Sequence, residues 1–204
     1  MGKDREQVHY GGEPLTRGAA SRTGRRVRFC GKLAVGAATA LVIAAPGTAH
    51  AAVYSPLDES SLQTSIQGDR FEISGGKLAQ AKGVTPAVRA LGARLVVDHT
   101  KSLHEAVALA HKLGIEVPGS PTTTEEWELT TLTGLSGAPF DAEYAYLEVQ
   151  DHKQDIEETT MELRKGLNHS VRHLAHSDLP TLRTHLRLSK QALWQIPGTW
   201  PPER

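Results

Sequence analysis

The chain predicts an all-α fold: an up-down bundle of four long helices, with a short extra helix in the link between the second and the third. Three observations lead there. Apolar residues recur every three to four positions in four separate stretches, no stretch alternates with a period of two, and the breaks carry Gly, Pro and capping residues. Helices patterned on one face bury it against one another, and two short turns plus one longer link join four of them into a bundle.

Ahead of the helices lies a segment of different character. Arg22, Arg25, Arg26, Arg28 and Lys32 precede the apolar run Leu33 to Ala45, and Ala49-His50-Ala51 has the small-x-small pattern of a cleavage site. The run is too short for a mature membrane span. Residues 1–51 therefore read as an N-terminal extension, Met1 to Ser21, followed by a signal peptide cleaved after Ala51. Arg25-Arg26 raises a twin-arginine reading, but Gly24 and the register of Arg28-Phe29 weigh against it, and general secretion is expected. The expected location is exported, either secreted or in the cell envelope.

Cleavage leaves 153 of the 204 residues, enough for one domain with one core. The leader takes eight of the 23 Lys and Arg and three of the 23 Asp and Glu, so the remainder holds 15 basic and 20 acidic residues, a net of −5 before histidine. A mildly acidic domain without a basic stripe points away from nucleic acid and from anionic membrane surfaces. Because no cysteine follows Cys30, disulfides and thiolate metal sites are excluded from the domain.

Residues 52–57 read as a linker and 58–195 as the bundle. Leu62, Ile66 and Ile73 space a first helix from Asp58 to Lys82, ended by Gly83. Thr85-Pro86 caps the second, in which Val88, Leu91, Leu95, His99, Leu103, Ala106, Ala110 and Leu113 follow one face to Gly114. Val117-Pro118-Gly119-Ser120-Pro121 interrupts the chain, and Thr123 or Thr124 then caps a short helix through Trp127, Leu129 and Leu132. The third long helix follows Gly137-Ala138-Pro139 and runs to Lys165, with Ala145, Val149, His152, Ile156 and Leu163 on one face. The fourth extends from Ser170 to Gln195 through Leu174, Leu182, His185, Leu186 and Leu193, with a kink expected at Pro180. Residues 196–204, rich in proline, read as a loose tail.

Two Asp-His pairs, Asp98-His99 and Asp151-His152, fall mid-helix with each histidine on the apolar side, where an unpartnered polar group is costly. At ~1.5 Å per residue, Glu72 and His99 lie roughly 15 and 20 Å from the turn they share, and His152 and His185 roughly 21 and 22 Å from theirs. All four fall in one middle layer. Gly68, Gly75 and Gly76 flank Glu72 and are expected to leave space around its carboxylate.

The segment Gly68-Asp69-Arg70-Phe71-Glu72-Ile73, the run Ala90-Leu91-Gly92-Ala93-Arg94 with Asp98-His99-Thr100, the later Asp151-His152, and Leu179-Pro180-Thr181-Leu182-Arg183-Thr184-His185-Leu186 together carry a resemblance. Over about Leu57 to Leu193 the chain resembles the bacterial exported domain of unknown function 4142. That resemblance implies a ferritin-like bundle and an exported location, and it assigns no activity. The recurring polar positions of the family correspond here to Glu72, His99, His152 and His185.

One carboxylate and three imidazoles in a bundle core fit two readings. In the first they form a structural polar network in which Glu72 accepts from histidine and fixes helix register. In the alternative they ligate one divalent metal ion, for which neutral imidazole is a common donor. Asp98, Glu148 and Asp151 are candidates to orient the ring nitrogens from outside. The absence of the paired Glu-x-x-His elements of di-iron bundles points to a mononuclear site if there is one. His169, His173 and His176 share a face at the start of the fourth helix and read as a solvated stripe with some capacity for a surface metal. No Gly-x-Ser-x-Gly elbow, phosphate loop or His-Glu-x-x-His specifies catalysis, and no protein partner is indicated.

Overall fold

In the computed structural model, which describes residues 53–197, the regular structure is helical: α1 (Pro56–Lys82), α2 (Pro86–Leu113), α3 (Thr123–Gly134), α4 (Gly137–Lys165) and α5 (His169–Trp194). No strand occurs among the described residues. The expected extension, signal peptide and cleavage site lie outside the described residues, as do residues 198–204 of the tail. No described helix is long and apolar enough to cross a membrane.

Capping chemistry sets the boundaries. α1 starts two residues earlier than the apolar spacing indicates, because Ser55 and Asp58 form a reciprocal capping box and Pro56 takes the first helical position. Thr85 caps α2, which closes on Gly114 in the left-handed region at φ 72. Thr122, rather than Thr123 or Thr124, caps α3 in a second box with Glu125. α4 begins on Gly137 itself, at φ 67, and absorbs Pro139 into a first turn whose N–H groups have no intrahelical acceptor. Asn168 caps α5, which continues through Pro180 as one helix. His176, whose carbonyl loses its helical donor there, is exposed along with Pro180, so water can replace the missing bond.

The long helices pack as a ring in the order α1, α2, α5, α4, with little contact across the diagonals. Two buried carboxylates tie the ends. Asp141, near the start of α4, accepts from the backbone N–H groups of Val84 and Thr85 at 2.9 and 2.7 Å, so α4 enters at the end where α1 turns into α2. Asp58, at the start of α1, accepts from Leu167 and Asn168 at 2.9 Å each, which puts the α4–α5 turn at the opposite end. The link returns along α1, with Arg70 donating to the Pro118 carbonyl at 3.0 Å and Lys82 to the carbonyls of Leu132 and Thr133. Strict up-down alternation therefore does not occur. The stretch containing α3 is long enough to carry the chain back along α1, so α2 and α4 run the same way.

The apolar core has two parts. Phe140, Tyr144, Val149, Val88, Leu91, Leu95 and Leu193 fill the end at the α1–α2 turn, and Leu62, Ile66, Ala106, Ala110 and Ile115 fill the other. Ile196, expected in the loose tail, is buried in the first cluster, because the chain folds back under Ala192 and Leu193 and finds apolar partners. The flanking glycines of α1 also differ from expectation. A Cβ on Gly76 would meet the Gly92 carbonyl oxygen at 2.7 Å, and one on Gly92 would meet that of Gly76 at 2.6 Å. Gly76 thus serves close helix approach, while Gly75 faces Tyr144 and Glu148.

Gly92→Ala should overpack this crossing, costing about 1–3 kcal/mol, whereas Gly134→Ala, with nothing within 4 Å of the added methyl, should be neutral or stabilising in the same urea titration. A pH effect resides at the other end. Burial, and then the facing Asp58 carboxylate, push Glu162 up to about 7 from an ordinary 4.5. The folded state therefore holds a proton that the unfolded chain releases, and this contribution to stability, complete below the ordinary value, is lost as pH rises through about 7. Glu162→Gln should flatten the fall in melting temperature between about pH 4.5 and 7, read by calorimetry.

Candidate functional site

Between the two apolar clusters lies a polar layer. α1 contributes Asp69 and Glu72, one turn apart, α2 contributes Asp98 and His99, α4 contributes Glu148, Asp151 and His152, and α5 contributes His185. Glu72, His152 and His185 are fully buried, and His99 and Asp69 are each only 4% exposed.

Each imidazole is anchored through one nitrogen. His99 Nδ1 faces Asp69 Oδ1 across the α1/α2 interface at 2.8 Å, and His185 Nε2 faces Asp98 Oδ2 across the α2/α5 interface at 2.8 Å. His152 Nδ1 faces the Glu148 carbonyl one turn back on its own helix, also at 2.8 Å. Carbonyl and carboxylate oxygens accept, so these nitrogens carry the proton and donate. The remaining nitrogens, His99 Nε2, His152 Nε2 and His185 Nδ1, are buried without a hydrogen-bond partner. The ring centroids form a triangle of 5.1, 5.2 and 5.7 Å, and one ring nitrogen of each histidine lies within 4.8 Å of those of the other two.

Glu72 stands apart from this triangle. Its Oε1 is 3.5 Å from His152 Nδ1, whose proton already goes to the Glu148 carbonyl, so the expected acceptance from histidine is not made. Among the described residues the two groups able to hold an ion are His99, His152 and His185 on one side and Glu72, Glu148 and His152 on the other. The single four-residue set expected from helix levels is therefore divided, because Asp69 rather than Glu72 takes the position facing His99. Burial, followed by the neighbouring Glu148 and Asp151, pushes the Glu72 carboxyl well above its ordinary range. Burial likewise raises Glu148 to about 7 and raises Asp151. The upward shifts oppose the build-up of three adjacent negative charges in this cluster, and neither Glu72 oxygen has a hydrogen-bond partner.

Electrostatics push two of the rings toward the neutral form. Burial, reinforced by His99 and His185, pulls His152 well below its ordinary value. Burial also pulls His185 down to about 4, against the opposing bond from Asp98. For His99 burial again acts downward, but the Asp69 bond and charge outweigh it and the net shift is upward.

Of the outer residues expected to orient the rings, Asp98 reaches His185 and Glu148 acts through its carbonyl, whereas Asp151 lies with the carboxylates. Asp69 was not among those expected. Its signal is position, one helical turn before Glu72 on the same face of α1. His169, His173 and His176 are exposed; the first two rings stack at 6.4 Å, and the three do not form a ligand group. A cavity of about 160 Å³ lies against the triangle, touching Asp69, Asp98, His99 and His185, and its rim includes the exposed Lys101 and Ser177.

Fold and site together define an all-helical protein with a buried histidine and carboxylate centre. The chain belongs to the family described as domain of unknown function DUF4142, whose profile matches residues 44–192. Among solved structures it is similar to the crystal structure of a DUF305 fragment from Deinococcus radiodurans, with 18% identity and a TM-score of 0.62 over 70% of this chain and 99% of that one. At that identity the likeness is one of fold. No curated protein matches the sequence.

Asp69→Ala should leave the His99 N–H unpaired in the core and cost about 1–3 kcal/mol in chemical denaturation. Asp69→Asn, whose amide oxygen accepts the same bond, should recover most of that loss.

Proposed function

We propose that this protein is an exported, ferritin-like four-helix-bundle domain whose three-histidine centre binds one transition-metal ion through His99 Nε2, His152 Nε2 and His185 Nδ1. One observation carries the reading. Three buried ring nitrogens have no partner, their opposite nitrogens are all held by oxygen acceptors, and the three ring centroids lie within 5.7 Å of one another. Hydrogen bonds from carboxylate or carbonyl to the far nitrogen are the usual outer support of a histidine ligand, fixing tautomer and raising basicity.

A purely structural network would pair those nitrogens, since each unsatisfied buried acceptor costs about 1–3 kcal/mol. A cation at the centre converts the same three lone pairs into bonds. One ring nitrogen of each histidine lies within 4.8 Å of those of the other two, and metal–nitrogen distances of about 2.0–2.1 Å would draw the ligand atoms closer. Imidazole donors suit zinc, copper, iron or nickel, and a further ligand such as water would come from the cavity. Glu72, Glu148 and Asp151 would offset the added charge by releasing shared protons. The basic and apolar leader at residues 22–51 supports export.

Protein purified without an affinity tag should contain or take up about one zinc or copper ion per chain and melt at a higher temperature with excess metal. His99→Ala or His185→Ala should abolish uptake, and His173→Ala should leave it intact. Asp69→Asn should retain the ion with roughly 10–100-fold weaker affinity. Absence of stoichiometric metal together with unchanged melting would assign the layer a structural role.

A further inference from the structure

The cavity beside the triangle has a character that ligation alone does not require. Asp69, Asp98, Glu105, Asp155, Glu158 and Asp178 line it from α1, α2, α4 and α5, with Lys101 as the one basic lining residue. Lys101 is already committed to Glu105, at 3.4 Å. Three of the lining side chains are more than nine-tenths buried and present unpartnered polar atoms: Asp69 Oδ2, His99 Nε2 and His185 Nδ1. The wall and the floor therefore differ in chemistry. Carboxyl groups line the wall, with Asp155 and Asp178 pushed up by burial and by neighbouring acids, and the imidazoles of His99 and His185 are buried.

We propose that this cavity is the loading chamber of the centre: it holds a hydrated divalent cation on its carboxylate wall and passes it inward to the three histidines. The inference rests on the metal reading given above and adds a route and a transient outer site. Carboxylates bind a cation that keeps its water, as hard oxygen donors do, and imidazoles then displace that water for a first-row transition ion. A cleft lined by one sign of charge also concentrates counter-ions and raises association rates by about 10–10³-fold, an effect that weakens steeply with salt. The mutual repulsion of the wall carboxylates is visible in Asp178, which burial and then Asp69 and Glu105 push up to about 6. A passing cation relieves that repulsion.

The test uses Co²⁺, which absorbs in the visible when held in a four-coordinate nitrogen site, mixed with the full-length protein in a stopped-flow instrument. For the wild type, the rate should be second-order and fall steeply with added salt. Asp155→Asn combined with Asp178→Asn should slow association by about 10-fold or more at low ionic strength and flatten the salt dependence, while one Co²⁺ per chain is still bound at equilibrium. Glu126→Gln combined with Glu157→Gln, which removes two carboxyl groups from exposed positions outside the cavity, should leave the rate unchanged. Equal slowing by both double variants, or by neither, would overturn the loading chamber while leaving the histidine centre standing. Failure of the wild type to bind Co²⁺ at all would overturn the histidine centre and the chamber with it.

Discussion

The backbone contact between Gly76 and Gly92 is the constraint from which the rest of the arrangement follows. With no side chain on either residue, α1 and α2 approach until a Cβ on one would press on the carbonyl of the other. The two helices are antiparallel, so a step of seven residues down α1 and seven up α2 lands again on facing positions. Those positions are Asp69 and His99, which meet at 2.8 Å. A further step of the same size brings Leu62 opposite Ala106, both in the lower apolar cluster. The register set at the glycine crossing thus decides which carboxylate of α1 receives the histidine of α2.

The polar layer then obeys the cost of burying charge. A carboxylate or imidazole removed from water has to find a partner or shed its charge. Asp69 and Asp98 find histidines on neighbouring helices, burial and then Glu148 and Asp151 push Glu72 toward its neutral form, and burial with His99 and His185 pushes His152 toward its own, against the bond it donates to a carbonyl of its own helix. Once these demands are met, three ring nitrogens remain unpartnered, on rings whose centroids lie 5.1 to 5.7 Å apart. The same desolvation that pulls His152 and His185 down leaves their free lone pairs available at neutral pH.

The ends of the assembly use carboxylates in a different manner. Asp141 and Asp58 each sit near the beginning of one helix and satisfy backbone N–H groups in the turn of the other hairpin. The donors from Ser55 and Asn168 hold Asp58 at about 2 although burial alone would raise it. Each hairpin is therefore closed by the other, and the two apolar clusters are kept at a fixed spacing on either side of the layer. Glu162, folded over Gly166 where no side chain could fit, completes the closure at the α4–α5 turn.

Much of this was legible in the chain. The period of the apolar residues and the Thr-Pro and Gly signals at helix ends depend on local sterics and local hydrogen bonds, so they delimit five helices and place His99, His152 and His185 on apolar faces near one level. Local chemistry also accounts for the few shifted boundaries, such as Ser55 with Asp58 and Gly137 in its left-handed conformation. What the sequence could not decide is which residues face each other across helices. The choice of Asp69 over Glu72 as the partner of His99, the pairing of Asp98 with His185, the return of the link along α1, and the acidic cavity depend on register and helix direction. Those are set by contacts between residues dozens of positions apart, and only the packed tertiary structure fixes them.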